Sequence, residues 1–226
     1  MNTSQKIIDL THTLTSEIPS WDGECCFRTT VALDYDACTP PNLFRVQRIE
    51  GKAGSGTHMD APAHCIPGGK TIDAFDVADL TADCVVISCG EVNEEYVASP
   101  DVVERFEKDY GPIQPGSFVI FATGWDARWN EPEKYRNNLK FPSIHLDTAQ
   151  LLLSRGICGL GIDTLSPDAR GEDFLVHRAV LGAGKYIVEN IANVKMLPPV
   201  GARILVMPLK IQEGTEAPAR VVALLP

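Results

Sequence analysis

Gly56-Thr57-His58-Met59-Asp60-Ala61-Pro62-Ala63-His64 lies between a Gly54-Ser55-Gly56 turn and a Pro67-Gly68-Gly69 turn. In an extended segment, residues two apart point to the same face, so His58 and Asp60 converge on one point. Neutral imidazole and carboxylate together suit a divalent ion, zinc ahead of manganese. Asp60 has two oxygens and can bridge two ions. His64 lies beyond Pro62 and can face the same point as a proton-transfer residue rather than a ligand.

Around this segment, short β-branched runs recur at Cys84–Ser88, Phe118–Phe121, Ile157–Ile162, Tyr186–Val188 and Ile204–Met207, and they read as buried strands. Helical patterns lie between them. Ser99-Pro100-Asp101 supplies a cap, a first-turn proline and an early acid, and Gly111 a stop. From Ser143 to Arg155, Leu146, Ala149, Leu152 and Leu153 recur at helical spacing before Gly156. Strands alternating with helices indicate an α/β chain, with residues 1–226 forming one domain.

A composition of 44% hydrophobic and 22% charged residues supports a buried core. The net charge of -10 argues against non-specific binding to nucleic acid or anionic membrane. The polar opening is not a signal sequence and no apolar run reaches membrane-spanning length, so a cytoplasmic protein is expected. The cysteines (Cys25, Cys26, Cys38, Cys65, Cys84, Cys89 and Cys158) are odd in number and form no Cys-x-x-Cys, which favours reduced thiols. Cys65 follows His64 directly, but neighbours in an extended chain point apart, which weakens a Cys-His nucleophile.

His177 lies in the short helical pattern Phe174–Leu181, closed by Gly182 and Gly184, and Glu189 follows the apolar run Tyr186-Ile187-Val188. A helix and the end of its following strand can present both side chains at one site. A buried carboxylate without a partner is costly, which makes Glu189 notable. Among weaker candidates, His12 can line a pocket and His145 falls in a helix-cap region. Asp163 and Asp168 bracket a loop of the kind that borders sites. Trp21, Trp125 and Trp129 can wall a pocket or pack in the core. Gly182-Ala183-Gly184-Lys185 lacks the spacing of a phosphate loop.

Gly56 to His64 resembles the His-x-Gly-Thr-His-x-Asp-x-Pro-x-His signature of the cyclase-like metal hydrolases, which include bacterial kynurenine formamidases and isatin hydrolases. Ile8-Asp9-Leu10-Thr11-His12, Thr123-Gly124-Trp125, Gly161-Ile162-Asp163-Thr164 and Pro218-Ala219-Arg220-Val221 resemble further family segments in the same order. The resemblance implies a β-rich core flanked by helices, of the swivelling β/β/α type, and a homodimer or higher assembly. It assigns His58, Asp60, His177 and Glu189 as metal ligands and His64 as the catalytic proton carrier. The implied reaction is hydrolysis of a small amide, formamide or lactam, with arylformamidase action on N-formylkynurenine first. Isatin-type lactam opening and a catalytically impaired small-molecule-binding member are the alternatives.

One departure stands out. The signature's first histidine falls on Gly54, which has no side chain. The sequence therefore predicts at most one tightly held ion, on Asp60, His177 and Glu189, with His58 nearby and Gln47 or Glu50 available to replace the missing imidazole.

Overall fold

The computed structural model describes residues 6–168 and 173–226. Its strands are β1 (Ile7–Asp9), β2 (Phe27–Leu33), β3 (Val46–Gly51), β4 (His58–Asp60), β5 (Thr81–Ser88), β6 (Val97–Ala98), β7 (Phe118–Ala122), β8 (Ser143–Ile144), β9 (Gly159–Ile162), β10 (Tyr186–Glu189), β11 (Ala202–Pro208) and β12 (Glu216–Leu224). Its α-helices are α1 (Pro100–Tyr110), α2 (Pro132–Arg136), α3 (Leu146–Ser154) and α4 (Leu175–Gly182).

Eight strands form one sheet in the order β1-β12-β11-β5-β7-β9-β10-β4, and a further β12–β4 pairing closes it on itself. The run β5-β7-β9-β10 is parallel, as crossovers through helices require. Strands β4, β12 and β11 complete the circuit with antiparallel pairings. The expected α/β architecture, a β-rich core flanked by helices, is what forms.

Both faces of the central strands are buried, which explains their unbroken apolar runs. Along β7, Phe118 and Ile120 join Met59, Tyr186, Val188, Ile204 and Val221 inside the closed sheet. Val119 and Phe121 face outward and pack with Val103, Leu152, Val176 and Val180 of the helices. Each such side chain contributes about 1.5–3 kcal/mol when fully buried. The site lies in this outer layer, between sheet and helix.

Two boundaries differ from expectation. The helical pattern from Ser143 begins instead as β8, because Ser143 and Ile144 pair in parallel with Val97 and Ala98. Helix α3 starts only after His145, whose Nδ1 accepts the Asp147 N–H at 3.2 Å, so this histidine is a cap. The run from Ile157 becomes a strand only at Gly159. Strands β2 and β3 form a separate ribbon. No helix among the described residues is long and apolar enough to cross a membrane.

Candidate metal centre

Strand β4 has partners on both edges. On one side Glu189 of β10 stands opposite His58, and on the other Glu216 of β12 stands opposite Asp60. Paired residues project to the same face of a sheet, so this register gathers His58, Asp60, Glu189 and Glu216 on the outer face. Met59 takes the other face and packs inside. Helix α4 lies over the four and adds His177. His58, Asp60, His177 and Glu189 are all buried, with Asp60 only 1% exposed.

The imidazoles are oriented from behind. His58 Nδ1 donates to the Gly56 carbonyl at 2.9 Å, and the Asn190 side-chain amide donates to the same carbonyl at 2.9 Å. Gly56 holds a φ of 65°, and a Cβ there would overlap the Leu14 side chain, so the turn that aims this carbonyl needs glycine. His177 Nδ1 donates to Asp168 Oδ2 at 2.6 Å. Asp168 also accepts the Val176 and His177 backbone N–H groups at 2.8 and 3.0 Å, capping α4 and fixing its first turn. Both rings therefore turn Nε2 toward the carboxylates, in the tautomer a metal-binding histidine uses.

His58 Nε2 lies 3.3 Å from Asp60 Oδ1 and 3.4 Å from Glu189 Oε2. His177 Nε2 lies 3.5 Å from Asp60 Oδ2 and 3.1 Å from Glu189 Oε1. Direct charge-assisted hydrogen bonds are shorter, about 2.7–2.9 Å. Donors around an ion with bonds of about 2.1 Å stand roughly 3.0–3.4 Å apart. Both Asp60 oxygens and Glu189 Oε1 are buried without a hydrogen-bond partner among the described residues, a costly condition that a cation relieves. The residues fit a divalent ion.

The electrostatics agree. Burial disfavours a charged His58, yet the Asp60 and Glu189 carboxylates outweigh it and raise its pKa to about 10. Burial likewise opposes a charged His177, but Asp168, Asp60 and Glu189 hold its pKa well above the usual value. Burial and the neighbouring Asp60 push Glu189 up. For Asp60, burial acts upward but the two histidines hold it below the ordinary carboxylate range. The cluster attracts positive charge, which a proton or a metal can supply.

His64, in the one-turn segment Pro62–His64, is partly exposed, and its Nδ1 lies 3.3 Å from Glu216 Oε2. That contact raises its pKa against the effect of burial. It opens on a cavity of about 270 Å³ whose lining includes Trp21, His58, Phe174, His177, Glu189 and Glu216. Of the three tryptophans, only Trp21 lines this cavity, while Trp125 and Trp129 pack in the core. His12 is elsewhere: it stacks on Trp129 at 3.9 Å and lines a separate cavity of about 580 Å³ with Thr11, Asp126 and Asn193. Asp163 takes the Thr123 and Gly124 N–H groups and the Thr123 hydroxyl, so it fixes a loop. Burial pushes the Cys65 thiol up, contrary to what a nucleophile needs.

The sequence offered Gln47 or Glu50 as available to replace the imidazole missing at Gly54, and this is corrected. Both are exposed on β3, in the separate ribbon. Glu216 is the residue at that place: a Cβ built on Gly54 would overlap Glu216 Oε1 and stand 3.3 Å from His58 Nε2. Among the described residues, two groups of potential ligands result, His58-Asp60-Glu216 and Asp60-His177-Glu189.

This fold and site define the class. Residues 8–169 match the Cyclase family model ("Putative cyclase"), and the chain belongs to that family. More particularly, it is 31% identical over 188 residues to the isatin hydrolase of Roseibium aggregatum, spanning 76% of this chain and 72% of that one. It is 26% identical over 219 residues to the kynurenine formamidase of Erythrobacter litoralis, spanning 96% of this chain and 93% of that one. Among solved structures, isatin hydrolase A from Ralstonia solanacearum superposes with a TM-score of 0.88 at 28% identity, covering 98% of this chain and 92% of that one.

Proposed function

We propose that this chain is a metal-dependent hydrolase of a small N-aryl amide, with a divalent cation on Asp60, His177 and Glu189 and with His58 beside it. The observation that carries this reading is the pair of imidazoles, each tethered at Nδ1, aiming Nε2 at buried carboxylate oxygens that lack hydrogen-bond partners among the described residues. Zinc suits the nitrogen-and-oxygen donor set, ahead of manganese. Bound there, such an ion supplies Lewis acidity to the scissile carbonyl and acidifies water. His64, open to the cavity and held by Glu216, moves the proton to the leaving nitrogen. Trp21 and Phe174 offer flat walls to an aromatic substrate.

Both an isatin-type lactam and an aryl formamide fit this class. Isatin is the first substrate to test, because the chain is 31% identical to an isatin hydrolase and 26% identical to a kynurenine formamidase. The metal-loaded protein should open isatin faster than it deformylates N-formylkynurenine, followed by absorbance. A metal-loaded protein inert toward aryl lactams and formamides would instead be a binding member of the family.

A further inference from the structure

We infer that Glu216 takes the ligand place left by Gly54 and, with His58 and Asp60, forms a second cation site in which oxygen donors outnumber nitrogen. This rests on reading the cluster as a metal centre. Four observations lead to it. First, the antiparallel register sets Glu216 directly opposite Asp60, so its position is fixed by backbone pairing rather than by a mobile loop. Second, Glu216 Oε1 occupies the space that any side chain at position 54 would enter, beside His58 Nε2. Third, the fully buried Asp60 turns Oδ1 toward His58 and Oδ2 toward His177, and neither oxygen has a hydrogen-bond partner among the described residues. One oxygen faces each ligand group, as a bridging carboxylate requires.

The fourth observation is charge. Asp60, Glu189 and Glu216 surround the centre, and Asp168 stands behind His177. With both imidazoles neutral, as ligands must be, these acids leave a formal excess of negative charge that a single divalent ion does not cancel. Even with His64 protonated beside Glu216, the four acids of the described residues exceed a single divalent ion by one negative charge, which leaves room for a second cation. An imidazole with two carboxylates is harder than the two imidazoles and one carboxylate that a histidine at 54 would give, and it suits Mn²⁺ better than that set would. Glu216 is also less buried than the other ligands, and its Oε2 engages His64. It therefore joins the second ion to the proton carrier, and this ion is the more readily exchanged.

The test is metal counting on chelator-stripped protein reloaded with Mn²⁺ and desalted, with electron paramagnetic resonance on the same samples. The unmodified chain should retain two Mn²⁺ per chain with an exchange-coupled spectrum. Glu216→Gln should retain one, uncoupled, with an unchanged far-ultraviolet spectrum and cooperative melting. Gly54→His alone should not add an ion, because its side chain collides with Glu216. Combined with Glu216→Ala, it should restore the second ion and the coupling. One ion in both the unmodified chain and Glu216→Gln, or two in both, would overturn the inference. A single ion lost on His177→Ala would overturn it while leaving the hydrolase reading standing. Two coupled ions without turnover of any aryl amide would do the reverse.

Discussion

Asp168→Asn changes almost no volume, yet it should strike the centre without touching a cation. Asp168 is fully buried and, among the described residues, serves three donors: the Val176 N–H through Oδ1, and the His177 N–H and Nδ1–H through Oδ2. Asparagine has one acceptor oxygen, so one amide orientation sets its NH₂ against Val176 N–H and the other sets it against the imidazole. Leaving one buried donor unmatched costs about 1–3 kcal/mol. To escape, His177 must rotate or move its proton to Nε2, and either change removes the lone pair aimed at Asp60 and Glu189. Disturbing the residue that orients a ligating histidine typically weakens metal binding about 10- to 100-fold. Calorimetric titration of the stripped protein with Zn²⁺ measures that loss, and thermal melts without metal measure the stability cost. Asp163→Asn is the control: it is equally buried and multiply hydrogen-bonded, but it faces Thr123 and Gly124. It should destabilise the fold and leave Zn²⁺ affinity unchanged. Equal affinity losses in both variants, or none in Asp168→Asn, would refute the orienting role.

His64→Ala should keep the metal content of the unmodified protein while lowering turnover about 10²- to 10⁴-fold, read by metal analysis beside steady-state kinetics. Burial lowers the His12 pKa from 6.5 to about 4, so the fold favours its neutral form. The folded value lies below the unfolded one, so this stability is present above pH 6.5 and is lost as pH falls toward 4. The full shift corresponds to about 3 kcal/mol, and the partial exposure of the ring reduces it. His12→Phe keeps a ring against Trp129 and should flatten the denaturation-derived stability profile over that window relative to the unmodified chain; parallel profiles would contradict the assignment.

The legible parts of the molecule were those encoded locally. Extended spacing put His58 and Asp60 on one face, and β4 does so. The apolar runs at Phe118 and Tyr186 announced strands buried on both sides, and β7 and β10 are such strands. Glu189 stood out locally as a carboxylate after an apolar run, but the assignment of His177 and Glu189 as ligands came from family resemblance, because their convergence depends on β10 pairing with β4 and on α4 packing above. Glu216 left no signal. Along β12, Ala217, Ala219, Val221 and Ala223 alternate as the buried set, so Glu216 falls in the phase that reads as solvent-facing. Its face is outer with respect to the closed sheet, but at this end of the strand that face borders the cluster. Asp168 was visible as a loop acid, but its role depends on the first turn of α4, which local sequence did not connect to it. The helical pattern from Ser143 overran its true start because β8 pairing takes its first residues.

The most direct measurement is an anomalous scattering map from crystals of the protein loaded with Zn²⁺. A peak is predicted within about 2.0–2.2 Å of Asp60, His177 Nε2 and a Glu189 oxygen. A bound ion ligated by cysteine thiolates or lying in the His12 cavity, with Asp60, His177 and Glu189 bonded only to one another, would contradict it.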